Sequence, residues 1–181
     1  SNYLNPKFIL NSSLIVENFY LNKEYDKAKK VLKIFDKKYE FYYWFRIKKE
    51  TQIIIKELGY EEGIDYISSK FRKIDSPNLK MVFDIANFYK NSKKYEKAIE
   101  YYTKIISSLS EDSEIKSDLL YRRGGSYERL GNFKKADEDL LFSLRINPEE
   151  AYVLNYLAYS WLERDHKIDE AIEMLEKAYA L

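Results

Sequence analysis

A large apolar residue, two polar residues and then a small residue recur along the chain. The pattern appears as Tyr25-Asp26-Lys27-Ala28, Tyr60-Glu61-Glu62-Gly63, Tyr95-Glu96-Lys97-Ala98, Phe133-Lys134-Lys135-Ala136 and Ile168-Asp169-Glu170-Ala171. The small residues stand 35, 35, 38 and 35 positions apart. About twelve positions before each lies a second small or β-branched residue: Val16, Thr51, Ala86, Gly124 and Ala158. Large residues follow these at Phe19, Ile54, Tyr89, Tyr127 and Trp161, and others follow the first set at Leu32, Ile67, Tyr102, Leu140 and Leu175. Positions three or four apart share one helical face, so each unit predicts two amphipathic helices. Asn22-Lys23-Glu24, Leu58-Gly59, Asn91-Ser92-Lys93-Lys94, Gly131-Asn132 and Asp165-His166-Lys167 supply the turn inside each pair.

The prolines keep the same period. Pro6, Pro77 and Pro148 lie 71 residues apart, two repeats each time. Asn5, Ser76 and Asn147 precede them and are expected to be N-caps, with proline at the first helical position, where its missing N–H is not needed. Glu150 gives Asn147 the spacing of a capping box. The two periods predict an all-α fold of about five helix-turn-helix hairpins, with units at about 6–40, 41–75, 76–112, 113–147 and 148–181. Residues 1–181 read as a single array. A Ser1-Asn2 start without Met, and an end without a polar capping helix, lead us to expect a segment of a longer protein.

Composition narrows the function classes. Five Gly and three Pro suit long helices, and an apolar fraction of 45% argues against disorder. Zero Cys excludes disulfides, thiolate zinc sites and cysteine nucleophiles. A net charge of +1, divided as +6 over residues 1–100 and −5 over 101–181, gives no electrostatic case for nucleic acid. No apolar run approaches the ~18 residues of a membrane span, so no membrane insertion is expected in this segment.

Candidate chemistry is sparse. His166 is the one histidine and sits in a turn between Asp165 and Lys167, where a solvated role is expected. Gly124-Gly125 follows no strand and is no phosphate loop. Gly124 reads as a close-packing residue, while Gly125 costs roughly 1 kcal/mol in a helix interior and would leave a dent in whatever surface it lines. The carboxylates Glu111-Asp112, Asp137-Glu138-Asp139 and Glu149-Glu150 are expected at helix starts or on exposed faces. Lys27, Lys29, Lys30, Lys33, Lys37 and Lys38 read as a solvated outer face. No catalytic residue, metal or cofactor is assigned, and the chain is expected not to be an enzyme.

The pattern resembles the tetratricopeptide repeat. The fourth unit carries it best, with Leu120, Gly124, Tyr127, Gly131, Ala136, Leu140 and Pro148 at the family's spacing. The first two units depart from it: Phe35 and Lys70 stand where a small residue is usual, Gly63 replaces Ala, and Thr51 replaces Gly or Ala. The resemblance implies a right-handed solenoid whose first helices line a concave groove, acting as a non-catalytic protein-interaction scaffold for a peptide or a partner helix.

In that frame the lining falls at Leu10, Ser13, Glu17 and Tyr20, then Phe45, Lys48, Gln52 and Ile55, then Lys80, Phe83, Asn87 and Lys90. Asp118, Tyr121, Gly125 and Glu128 follow, then Tyr152, Asn155, Tyr159 and Leu162. Phe83, Asn87, Tyr121, Gly125, Tyr152, Asn155 and Tyr159 are the expected partner-binding residues, with rings for contact and amides for a peptide backbone. The stretch Tyr39–Arg46 holds six aromatics in eight residues. Its Trp44 and Tyr43, with Ile47 beyond, are expected in the helix seams, and Phe45 towards the groove. A carboxylate clamp for chaperone tails would use Lys48 and Arg122, but Asp84 and Asp118 stand where it needs Asn and Lys and would repel the carboxylate.

The last unit, Asn155 to Ala171, resembles long arrays of bacterial envelope proteins, which implies a bacterial cytoplasmic or periplasmic setting with envelope association of the full-length protein. Three alternatives stay open: an RNA-binding helical repeat, an adaptor segment of an enzyme whose catalytic domain lies elsewhere, and a homo-oligomer formed through exposed aromatic or terminal-repeat surfaces.

Overall fold

The structure, a computed structural model, describes residues 6–35, 40–110 and 113–181. Among them are ten α-helices and no strand: α1 (Pro6–Leu21), α2 (Tyr25–Leu32), α3 (Glu40–Glu57), α4 (Tyr60–Phe71), α5 (Leu79–Asn91), α6 (Tyr95–Ile106), α7 (Glu114–Arg129), α8 (Phe133–Ile146), α9 (Ala151–Leu162) and α10 (Ile168–Ala180). Consecutive helices pack in pairs, α1 on α2 through to α9 on α10. The chain divides into two compact units, Ser1–Pro77 and Asn78–Leu181.

In the first unit Val16, Ala28, Leu32, Thr51, Ile53 and Ile67 are fully buried. Thr51 substitutes for a smaller residue because its Oγ1 donates to the Ile47 carbonyl at 2.7 Å, leaving the side chain's outer surface apolar. Trp44 and Ile47 are buried as expected, and the Trp44 ring lies 5.9 Å from Phe71. Phe35, in a position usually small, is buried, and the half-buried Phe45 ring packs on it at 5.0 Å. Tyr39 and the Phe41 side chain lie outside the described residues, as do Lys37, Lys38 and Glu111-Asp112. Lys29 donates to Glu57 at 2.7 Å and ties α2 to α3, so the lysine face is partly engaged.

In the second unit Ala86, Ala98, Ala136, Ala158 and Ala171 have no exposed surface, which brings the paired helices close. Gly124 marks a close approach: a Cβ there would lie 3.2 Å from the Ala136 carbonyl oxygen and 3.1 Å from Leu140 Cγ. About two helical turns along, Ser117 and Ser143 exchange hydrogen bonds, each hydroxyl donating to the other's carbonyl at 3.0 and 2.9 Å. Two buried polar side chains are thereby satisfied where α7 crosses α8.

Two expectations are corrected here. Only Pro6 opens a helix. Asn78 is the N-cap of α5, accepting from the Met81 N–H at 3.0 Å, so Pro77 stands before the cap. Glu150 is the N-cap of α9, and Asn147 donates its amide to the Glu150 carboxylate at 2.9 Å. Proline disfavours helix for the residue before it, so Pro148 ends α8 at Ile146 more than it starts α9. The second correction concerns Asp137 and Asp139, which are not on an exposed face. Asp139 takes a bidentate bond from Arg123 at 2.7 and 2.7 Å, and Asp137 holds Arg164 at 2.8 Å.

Four of the five hairpin turns share one closure. Glu24, Lys94, Asn132 and His166 each donate a backbone N–H to the carbonyl five residues earlier, and the residue before each is left-handed: Lys23 (φ 61°), Lys93 (φ 61°), Gly131 (φ 72°) and Asp165 (φ 50°). Only Gly131 takes that conformation without a side-chain penalty, which is about 1–2 kcal/mol for other residues. Glycine's extra unfolded-state entropy removes roughly half of the gain. Lys93→Gly is therefore expected to raise the thermal midpoint by about 1–3 °C. A circular dichroism melt that showed a lower midpoint would contradict this account of the turn.

Candidate functional site

The first helices of the three hairpins in the second unit, α5, α7 and α9, meet along one face. Rings join α7 to α9: Tyr121 meets Tyr152 edge-on at 5.1 Å and Tyr156 at 5.6 Å. A cation joins α7 to α5, with the Arg122 guanidinium 5.3 Å from the Phe83 ring centre. The 3.6-residue period of each helix selects these residues, because the opposite stripe of α5, α7 and α9 is buried against α6, α8 and α10.

Six of the seven expected binding residues carry side chains. Phe83 and Tyr121 are half-buried, while Asn155 is exposed, Tyr152 is 48% exposed and Tyr159 60%. Asn87 is engaged inside the fold, its Oδ1 accepting the hydroxyl of buried Tyr102 at 2.7 Å. Gly125 borders the Tyr156 hydroxyl, which a Cβ would approach to 3.4 Å. In the first unit, Leu10 is largely exposed and Gln52 has a buried Oε1 with no partner among the described residues.

Two hollows flank Arg122. One, of about 250 Å³, is lined by Lys90, Tyr95, Tyr121, Arg122, Gly125, Ser126, Arg129 and Tyr156. The other, about 500 Å³, is apolar, with Leu79, Phe83, Ile105, Leu109, Ile115 and Leu119 in its wall beside Lys80, Glu114 and Asp118. Tyr156 and Tyr95 escaped sequence reading: Tyr156 is one position beyond Asn155 in the helical register, and Tyr95 looked like the packing residue of its repeat.

The charges at the smaller hollow are unevenly committed. Asp118 accepts from Arg122 Nε at 2.8 Å. Glu128 accepts the Tyr156 hydroxyl at 2.9 Å and lies 3.5 Å from Arg129. The Lys90 side-chain amine makes no hydrogen bond or ion pair among the described residues, and burial, then the Arg122 charge, hold it below the ordinary lysine value, with Asp118 opposing. Burial raises the hydroxyl pKa of Tyr121, and burial together with the Glu128 bond raises that of Tyr156, so both stay neutral.

His166 is exposed in its turn, its ring edge-on to Trp161 at 5.6 Å, and lines neither hollow. Among the described residues no group of three His, Asp or Glu could hold a metal ion, and no helix is long and apolar enough to cross a membrane. The face offers ring, amide and cation contacts to a ligand.

Comparison with known proteins bears on the repeat and the fold. Residues 79–108 and 117–150 match the tetratricopeptide repeat model. The TPR repeat-containing protein MJ1428 of Methanocaldococcus jannaschii is 27% identical over 192 residues, covering 84% of this chain and 34% of that protein. The chain thus spans about a third of the length of the curated relative it matches. Among solved structures, a crystal structure of MamA superposes with a TM-score of 0.67 at 16% identity, covering 98% of this chain and 95% of that one. The MamA RS-1 ArsTM double mutant gives 0.70 at 14% identity, covering 98% and 96%. At such identities these structures establish the fold.

Proposed function

We propose that the chain is a tetratricopeptide repeat protein, the model its residues 79–108 and 117–150 match, and that it is a non-catalytic scaffold that binds a peptide or partner helix along α5, α7 and α9. The observation that carries the reading is the open run of Tyr152, Asn155 and Tyr159 on α9 beside the Tyr121 and Phe83 rings. Helices that are apolar on one side and settle their packing there have no structural need for exposed tyrosines on the other. Tyrosine gives large contact area at low entropy cost, and exposed amides pair with a peptide backbone.

The test is affinity capture from a cell lysate with the parent chain beside a Tyr152→Ala, Asn155→Ala, Tyr159→Ala variant. Because these side chains are exposed, the variant is expected to keep its helical circular dichroism and to lose the captured protein by tenfold or more, at about 1 kcal/mol or more for two of the three truncations. Equal recovery on both columns would move the interaction away from α9. Recovery of a second copy of the chain, lost in the variant, would make the same face a homo-oligomer interface.

A further inference from the structure

One stripe of each second helix reaches the hairpin that follows it. Counted from the small residue of the second helix, the stripe runs through the first and fifth positions after it. Lys29 on α2 donates to Glu57 on α3, Asp137 on α8 accepts from Arg164 after α9, and Thr103 on α6 accepts from Arg123 on α7. Large side chains flank the stripe. At the fourth position Leu32, Ile67, Tyr102 and Leu140 have no exposed surface, and at the eighth Phe71 and Ile106 are buried.

On α10 this stripe lies open. Counted from Ala171, Ile172 is 46% exposed, Leu175 half-buried, Glu176 exposed and Tyr179 95% exposed. The stripe of α1 that would receive such a helix is open too. One residue before the small residue of a first helix, Arg123 bonds to α6, and Leu157 is buried in the cluster that holds Leu140 of α8. The same position on α1 is Ile15, 46% exposed, with Phe8 at 50% two turns before it. Large apolar side chains gathered on one open helix face mark an interaction surface. The two faces also differ in charge. α1 carries Lys7, its one acid, Glu17, is tied to Lys49, and Lys23 stands in the turn after it, where Glu24 pairs with Lys27. α10 carries Asp169, Glu170, Glu173 and Glu176 against Lys177.

We propose that a second copy of the chain covers both faces: α10 of one copy packs antiparallel on α1 of the next, as α6 packs on α7. The contacts inside the chain, carried over position by position, set Tyr179 against Phe8 and Asn11 and lay the stem of Glu176 across Ile15. Opposite charge favours this pairing over α1 on α1 or α10 on α10. Each copy uses a different face for each neighbour, so the contact is head-to-tail and has no two-fold axis. It does not rest on the binding reading of α5, α7 and α9, and Tyr152, Asn155 and Tyr159 take no part in it.

Sedimentation velocity of the whole chain at rising concentration tests this. The parent is expected to grow beyond a single chain. Ile15→Glu and Tyr179→Glu should each weaken association by about tenfold or more, because each puts an acid into one half of the seam. The equimolar mixture of the two variants separates this arrangement from others. Each variant keeps one sound face, so the mixture should form a one-to-one dimer and nothing larger, while each alone stays a single chain. Circular dichroism checks that the helices are kept, and Phe8→Glu replaces Ile15→Glu if they are not. A parent that stays a single chain at every concentration, or a mixture no larger than its components, would overturn the inference and leave the scaffold reading standing. Association that survives both variants but is lost on Tyr152→Ala and Tyr159→Ala would also overturn it, and would place self-association on the proposed binding face.

Discussion

Trp161→Ala is expected to destabilise the second unit by about 3–5 kcal/mol, the largest effect of any single truncation in it. Trp161 is 2% exposed and packs among Leu140, Leu157, Ala158 and Ala171, joining α8, α9 and α10. The turn after α9 is built over the same ring. His166 donates its backbone N–H to the Trp161 carbonyl at 2.9 Å, its imidazole meets the indole edge-on, and the Lys167 amine lies 4.7 Å from the ring centre. Removing the ring leaves a cavity that backbone already tied on two sides cannot collapse into. Trp161→Phe should cost about 1 kcal/mol, because the buried indole N–H has no acceptor among the described residues and no hydrogen bond is given up. Urea denaturation of both variants separates the cases, and equal losses for Ala and Phe would show that the ring's volume is not what matters.

Asp139→Ala is expected to cost about 2–4 kcal/mol, somewhat below the figure for a fully buried pair because Arg123 keeps some solvent contact. Asp139 is 6% exposed and receives two bonds from Arg123, which also donates to Thr103 on α6 at 3.0 Å. The arginine therefore ties α6, α7 and α8 together. Truncating the acid leaves a largely desolvated guanidinium with only the threonine bond. Asp139→Asn keeps one acceptor in the same shape and should lose about half as much. Thermal melts of the two variants test this; a neutral result for Asp139→Ala would mean that water replaces the carboxylate without penalty.

Neither effect was equally visible in the residues themselves. The burial of Trp161 was legible, since it recurs at the position filled by Phe19, Ile54, Tyr89 and Tyr127 in the other units. The role of Asp139 was not. Asp137 and Asp139 lie two residues apart on α8 and looked like surface charge, because their partners, Arg164 in the turn after α9 and Arg123 on α7, are 27 and 16 residues away. A charge pattern read along one helix finds partners three or four residues off and no others.

The candidate site divides in the same way. Phe83, Tyr121, Tyr152, Asn155 and Tyr159 were placed by helical register alone, and the structure puts them on neighbouring helices. Asn87 shares that register, yet its side chain is taken up by Tyr102, whose hydroxyl must be satisfied because the ring is buried. Phe45 shares it too, and its half-buried ring packs on Phe35. Pro77 and Pro148 kept the period but not their expected place, because Asn78 and Glu150 were available as caps closer to the helices they serve.

What the sequence by itself determined was the number, order and pairing of the helices and which stripe of each is buried, since those follow from the spacing of small and large apolar residues and from the residues at each turn. Only the tertiary structure decided that Lys90 would be left without a partner beside Arg122, that Gly125 would open onto Tyr156, and that Asp139 would be an internal clasp. The reason is one of range: backbone geometry and side-chain periodicity act over one or two helical turns, whereas charge balance and cavity shape are set by groups that meet only after separate helices have packed.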